Sequence, residues 1–200
     1  MTKFFDALLG RSKPVPARLD ALFGLPSAAI TLQTEAGLVP TGQAGVCFKP
    51  VAEAAFDQVQ GDMTQLLTML KSQRQIELTE LDDKMGYHWV VITEPDIGEL
   101  VTNVHAVNSS LQDSGFDSQL LCSVFAFKPA PNSPHPKQTV YLVYLFKRGA
   151  FYPFVPLNGE QAGEKRDNVA ELHLKGILEK DLKVEQELTR WFPVWGAPVS

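Results

Sequence analysis

Ser109 and Ser110 lie within about a helical turn of His105, and a hydroxyl beside an imidazole is the pairing that begins acyl transfer, with the imidazole taking the proton. A Ser-His pair on one helix is a weak signal of that chemistry. No GxSxG elbow accompanies it, and His105 follows Val101 by four residues at the edge of an apolar stripe, so periodicity favours a packed, hydrogen-bonded histidine. Cys47 and Cys122 sit in GVCF and LLCSVF, strand-like surroundings without a CxxC or a nearby histidine cluster. They read as buried thiols in a reducing compartment, slow to alkylate and idle in hydrolase or redox chemistry, with a disulfide between them as the lesser alternative. His88, His105, His135 and His173 are scattered without HxxH, HxH or HExxH spacing, so no metal is expected. Neither GxxxxGK[ST] nor GxGxxG occurs, and no cofactor is expected. Glu77, Glu80, Asp82 and Asp83 could attract a divalent ion, but a solvated hairpin explains them more simply. KRG at 147–149 reads as charge protecting a sheet margin, and GEKRDN as a solvated loop that could also meet an anion.

The elements that would position these residues follow from periodicity. FDALLG (5–10) and LDALFG (19–24) repeat apolar residues at i, i+3, i+4, which predicts two short helices ended by Gly10 and Gly24, joined by the extended SKPVP. AAITLQ and AGVCFK read as strands divided by a turn over Gly37 to Gly42. Val51 to Leu70 reads as an amphipathic helix with Ala55, Val59, Met63, Leu66, Leu67 and Leu70 inward. RQIELTEL and YHWVVIT form a strand pair about an Asp82–Gly86 loop. Asp96 and Glu99 make a D-x-x-E capping box for a helix through Ile97, Leu100, Val101, Val104, Val107 and Leu111, stopped by Gly115. QLLCSVFAFK, QTVYLVYLFK and Phe151–Val155 are three further strands, the first two separated by the proline-rich PAPNSPHPK. A helix over Val169–Leu178, with Leu172, Ile177 and Leu178 inward, and a short one over Val184–Trp191 complete the order. The prediction is an α+β fold: a mainly antiparallel sheet of β-β-α units with helices on one face, short N-terminal helices over 1–26, one domain over 27–200 and an aromatic C-terminal tail.

With 44% hydrophobic and 20% charged residues the chain can build an ordinary core. A net charge of −5 argues against nucleic acid or anionic lipid as a general partner. The longest apolar run, VYLVYLF, falls far short of the roughly 18 residues that span a bilayer. MTKFFDALLGRSK lacks the features of a signal peptide, so a cytoplasmic location is expected. Two apolar ends are left as candidate partner contacts: Phe4, Phe5, Leu8 and Leu9 at the start, and Trp191, Phe192 and Trp195 in RWFPVWGAPVS. The alternative is that each docks on the chain's own core, and for the tail this is favoured: Trp191 and Phe192 packed inward, with Trp195 closing the edge.

FFDALLGRSKPVPARLDALFGLPSAA, LVTNVHAVNSSLQDSGF, YLFKRGAFYPFVP, the RDN before the last long helix, and LTRWFPVWGAP together resemble the actinobacterial PspA-associated protein PspAB family, essentially end to end. The resemblance implies a link to the phage-shock envelope-stress system, whose central protein is a peripheral membrane coiled-coil protein, and so a PspA-like partner. It brings no enzymatic activity and no set of functional residues. Two functions therefore compete. One is a non-enzymatic cytoplasmic adaptor or regulator acting by protein contact; the other is a small-molecule-binding protein or enzyme whose site is assembled from distant residues.

Overall fold

Leu25, Ala28, Ala29, Leu32 and Ala36 are all buried, and their spacing is that of a helix. The segment containing AAITLQ is thus not a strand but helix α1, Leu25–Ala36. Pro26 starts it, where a missing N–H costs nothing, and Gly37 at φ 62° ends it in the left-handed conformation, donating its N–H to the Leu32 carbonyl. Gly24 does not stop the preceding turn as expected. It is right-handed helical, and the 3₁₀ turn Leu19–Gly24 runs directly into α1.

The computed structural model describes residues 19–49, 56–131, 139–157 and 164–200, with backbone alone for 56–63. The expected helix at 5–10, most of the proline-rich connector with His135, and the inward positions Ala55, Val59 and Met63 lie outside the described residues or side chains.

After α1 come β1 (Leu38–Phe48), α2 (Phe56–Arg74), β2 (Glu77–Asp82), β3 (His88–Thr93) and α3 (Ile97–Asp113). Next are β4 (Leu120–Pro129), β5 (Val140–Leu145), β6 (Ala150–Phe154), α4 (Asn168–Leu178) and a 3₁₀ turn at Leu188–Arg190. The fold is α+β, and its six strands form one antiparallel sheet in the order β2-β3-β1-β4-β5-β6. β1 is longer than expected and absorbs the anticipated Gly37–Gly42 turn as an irregularity between Pro40 and Ala44. It lies at the centre, so α2 returns the chain beyond β3, and α3 carries it back across β1 to β4.

Register assigns the sheet two faces, because directly opposed residues point the same way. Ala44, Val46 and Phe48 of β1 share a face with Val90, Ile92, Ser123, Phe125 and Leu142. Helices cover this face. Buried Asn108 of α3 donates from Nδ2 to Ser123 Oγ at 2.9 Å, and Leu100, Val101, Val104, Val107 and Leu111 fill the same layer. Asp96 caps α3 by accepting from Glu99 N at 2.9 Å, but Glu94 rather than Glu99 closes the box by accepting from Asp96 N. On α4, Leu174, Ile177 and Leu178 are buried, whereas Leu172 points outward at 52% exposure and Glu171 takes the inward place.

Gly45, Cys47, Trp89, Val91, Cys122, Val124, Tyr152 and Phe154 belong to the opposite face. No helix covers it among the described residues; the C-terminal segment crosses it instead. Val199 packs there beside Gly45, where a methyl group would sit 3.0 Å from the Trp89 ring and 3.2 Å from Val199 Cγ1. A hydrogen at that position lets ring, strand and tail meet, and a methyl group would require one of them to give way slightly. Buried residues from Leu19 to Val199 join one hydrophobic core.

Candidate functional site

The tail is fixed by specific contacts. Glu185 O accepts from Trp191 Nε1 at 2.9 Å, and the indole stacks on Tyr152 at 5.8 Å between centroids. Tyr152 Oη donates to Phe192 O at 2.7 Å, and Trp195 meets Phe154 edge-on at 4.8 Å. Tyr141 Oη donates to Val199 O at 3.3 Å, and Ser200 N to Gln43 Oε1 at 3.0 Å. Trp191 is buried and Trp195 half-buried, but Phe192 is 60% exposed rather than packed inward. The backbone leaves the helical range at Trp191, at φ −85° and ψ 74°, and Trp191 takes the inner side while Phe192 points out. The expected helix over Val184–Trp191 is reduced to that turn, because Val184 instead bridges Phe151 in parallel beside the edge strand β6. Phe4, Phe5, Leu8 and Leu9 lie outside the described residues.

Between tail and sheet lies a cavity of about 360 Å³, lined by Cys47, Cys122, Trp89, Tyr152, Leu145 and residues 192–195 among others. It falls within the size range of small-molecule sites. Cys47 and Cys122 are directly opposite in the β1–β4 register, and both thiols are free. Cys47 is buried, but Cys122 is only half-buried, less enclosed than its apolar sequence implied. The hydrogen bond with Cys122, then burial, pushes the Cys47 thiol well up from its ordinary value. At the rim, Asp83 accepts from Met85 N, Tyr87 N and Trp89 Nε1 at 2.8–2.9 Å. Burial alone would raise its carboxyl, but the Trp89 indole and the loop amides outweigh that and hold it low. Its role is to tie the β2–β3 loop to the indole that forms one wall.

A second concave surface adjoins the outer side of Trp191. Arg166 donates from Nε to both Glu171 oxygens at 2.8 and 2.9 Å and from Nη1 to Trp191 O at 2.7 Å. Its guanidinium lies 5.1 Å from the centre of the Phe154 ring, and Glu171 also accepts from Val155 N at 2.9 Å. Arg166 Nη2 is buried without an acceptor. Leu172 and Leu188 flank this hollow, and Val169, 80% exposed, stands one turn before Leu172. The GEKRDN loop thus holds a structural arginine rather than a merely solvated one. RDNVAE carries no hint of it, because the signal is a tertiary contact with Val155 and Trp191.

The other candidates resolve into local structure. Ser109 Oγ and His105 Nδ1 are 3.4 Å apart, a long contact, and Phe23 packs on the imidazole at 5.0 Å. Burial, then Arg74, lowers the His105 value, and no carboxylate bonds its ring among the described residues. His88 faces the helix side, against Phe48 at 5.1 Å, with Nδ1 2.7 Å from Asp82 and Nε2 3.4 Å from Glu80. Glu80 and Asp82 are therefore its partners, Asp82 from the solvated side of the hairpin at 70% side-chain exposure, and Glu80 also accepts from Thr64 of α2 at 3.2 Å. Among the described residues no cluster of three potential ligands could hold a metal ion, and no helix is long and apolar enough to cross a membrane.

A family model described as PspA associated protein B matches residues 2–199 of the chain. No curated protein and no solved structure matches it.

Proposed function

The chain belongs to the PspA associated protein B family, and from that membership we propose that it is a non-enzymatic cytoplasmic adaptor in a PspA-type membrane-stress response, acting by direct contact with the PspA-like protein. The observation that carries this reading is the pair of exposed leucines, Leu172 and Leu188, that line the Trp191 hollow, with exposed Val169 one helical turn before Leu172. Large apolar side chains grouped about a concavity mark contact surfaces more often than isolated ones do. Beneath these side chains, Arg166 bonds both Glu171 and the Trp191 carbonyl and so holds the floor of the hollow in place. Of the tail residues, Phe192 remains a candidate contact, while Trp191 contributes by shaping the surface.

The test is binding of the full chain to purified PspA by titration calorimetry, with Leu172→Asp and Leu188→Asp as variants. The expected result is a complex weakened at least about tenfold by each substitution, some 1.4 kcal/mol, with melting temperatures within a few degrees of the parent. Absence of binding by the parent chain, or binding indifferent to both substitutions, would overturn the contact reading. The cavity beneath residues 192–195 favours a second reading, a small apolar ligand. Native mass spectrometry that found a molecule bound in the purified protein would bring that reading forward.

A further inference from the structure

Cys47 and Cys122 are far apart in sequence and meet only because β1 enters the sheet between β3 and β4. Directly opposed residues of antiparallel strands stand about 4.5–5.5 Å apart at Cα, inside the roughly 4.4–6.8 Å that a disulfide spans. The two thiols are opposed in that register, and both border the cavity under the tail. Geometry and a route for a small molecule are thus both present. We propose that Cys47 and Cys122 form a redox modification site, closed to a cross-strand disulfide by peroxide entering the cavity.

The chemistry is a two-electron oxidation of the dithiol. Half-buried Cys122 meets the oxidant first. Its Sγ attacks one peroxide oxygen, the O–O bond breaks, and the thiol proton leaves with the departing oxygen as water, giving the sulfenic acid. Cys47 Sγ then attacks Cys122 Sγ; the S–S bond forms, the S–O bond breaks, and the Cys47 proton leaves on a second water. Peroxide is reduced to two waters, and the two cysteines together lose two hydrogens. The unequal burial assigns the two sulfurs different parts: half-buried Cys122 takes the oxidant and buried Cys47 resolves the sulfenic acid. Closure would replace two thiol donors in the cavity wall with one disulfide, facing Val194 and Trp195 across the space. The inference is independent of the partner reading.

Hydrogen peroxide added to the reduced, folded full-length protein tests it by intact mass and alkylation. The expected result is a monomer lighter by about 2 Da, with neither cysteine alkylated after denaturation and both restored by dithiothreitol. In Cys47→Ser, Cys122 should stop at a sulfenic acid trapped by dimedone. The parent measurement stands alone if that variant does not fold. Retention of both alkylatable thiols would overturn the proposal. So would Cys122 gaining about 32 Da as a sulfinic acid while Cys47 stays free, or linkage only between molecules.

Discussion

His88 shows how a residue without a sequence motif acquires a definite electrostatic role. Its hydrogen bond to Glu80, reinforced by Asp82, raises the imidazole above its ordinary value despite burial. Asp82 is nearer, but its side chain is 70% exposed, so water screens it more than Glu80. Reciprocally, His88 lowers the Glu80 carboxyl. The raised histidine stabilises the fold fully below its unfolded value near about 6.5, and this contribution fades as pH rises through the folded value. The lowered glutamate contributes above its unfolded value near about 4.3 and loses that contribution as pH falls through its folded one. The pair therefore contributes most between about pH 4.5 and 6.5. Urea denaturation should show His88→Gln costing about 1.5 kcal/mol at pH 6 and distinctly less at pH 9. An equal cost at both values would mean that shape, not charge, holds the residue.

The elements differ in how openly the sequence declares them. α3 was legible to its cap, because Asp96 and the spacing from Ile97 to Leu111 agree. The β2–β3 hairpin and β4 to β6 were legible from alternation and turn residues. α1 was not: Ile30, Thr31 and Leu32 suggest a strand, and the small Ala28 and Ala29 let a helix pack closely where local preference says otherwise. Leu172 was misplaced because Arg166 draws Glu171 inward and rotates the α4 face. The cavity was illegible, and the opposition of the two cysteines was open only as the lesser disulfide alternative, since both depend on strand order, which periodicity does not encode. The tail's aromatic composition was visible, but its division into an inner tryptophan and an outer phenylalanine was not. That division is measurable. Trp191→Ala should destabilise the protein by about 3–5 kcal/mol, whereas Phe192→Ala should cost about 0.5 kcal/mol or less. Comparable losses in chemical denaturation would show that Phe192 also packs.

At the scale of the molecule, placing the first strand at the centre of the sheet has a kinetic consequence. Gly45 must find Val91 on one side and Val124 on the other, so no local hairpin can seed the middle of the sheet. The chain must close long loops before the central pairings stabilise anything, which slows folding relative to a meander of neighbouring strands. The tail comes later still, because Ser200 and Val199 seat on β1 only after its pairing with β3 has set Trp89 beside Gly45. Contacts made after the rate-limiting step govern escape from the folded state rather than entry to it. In stopped-flow measurements Trp195→Ala should therefore accelerate unfolding and leave the refolding rate nearly unchanged; refolding slowed in proportion to the lost stability would place the tail in the folding nucleus. The segment laid last across the sheet then acts as a latch on lifetime: it sets how long each molecule stays folded, while β1 sets how long it takes to arrive.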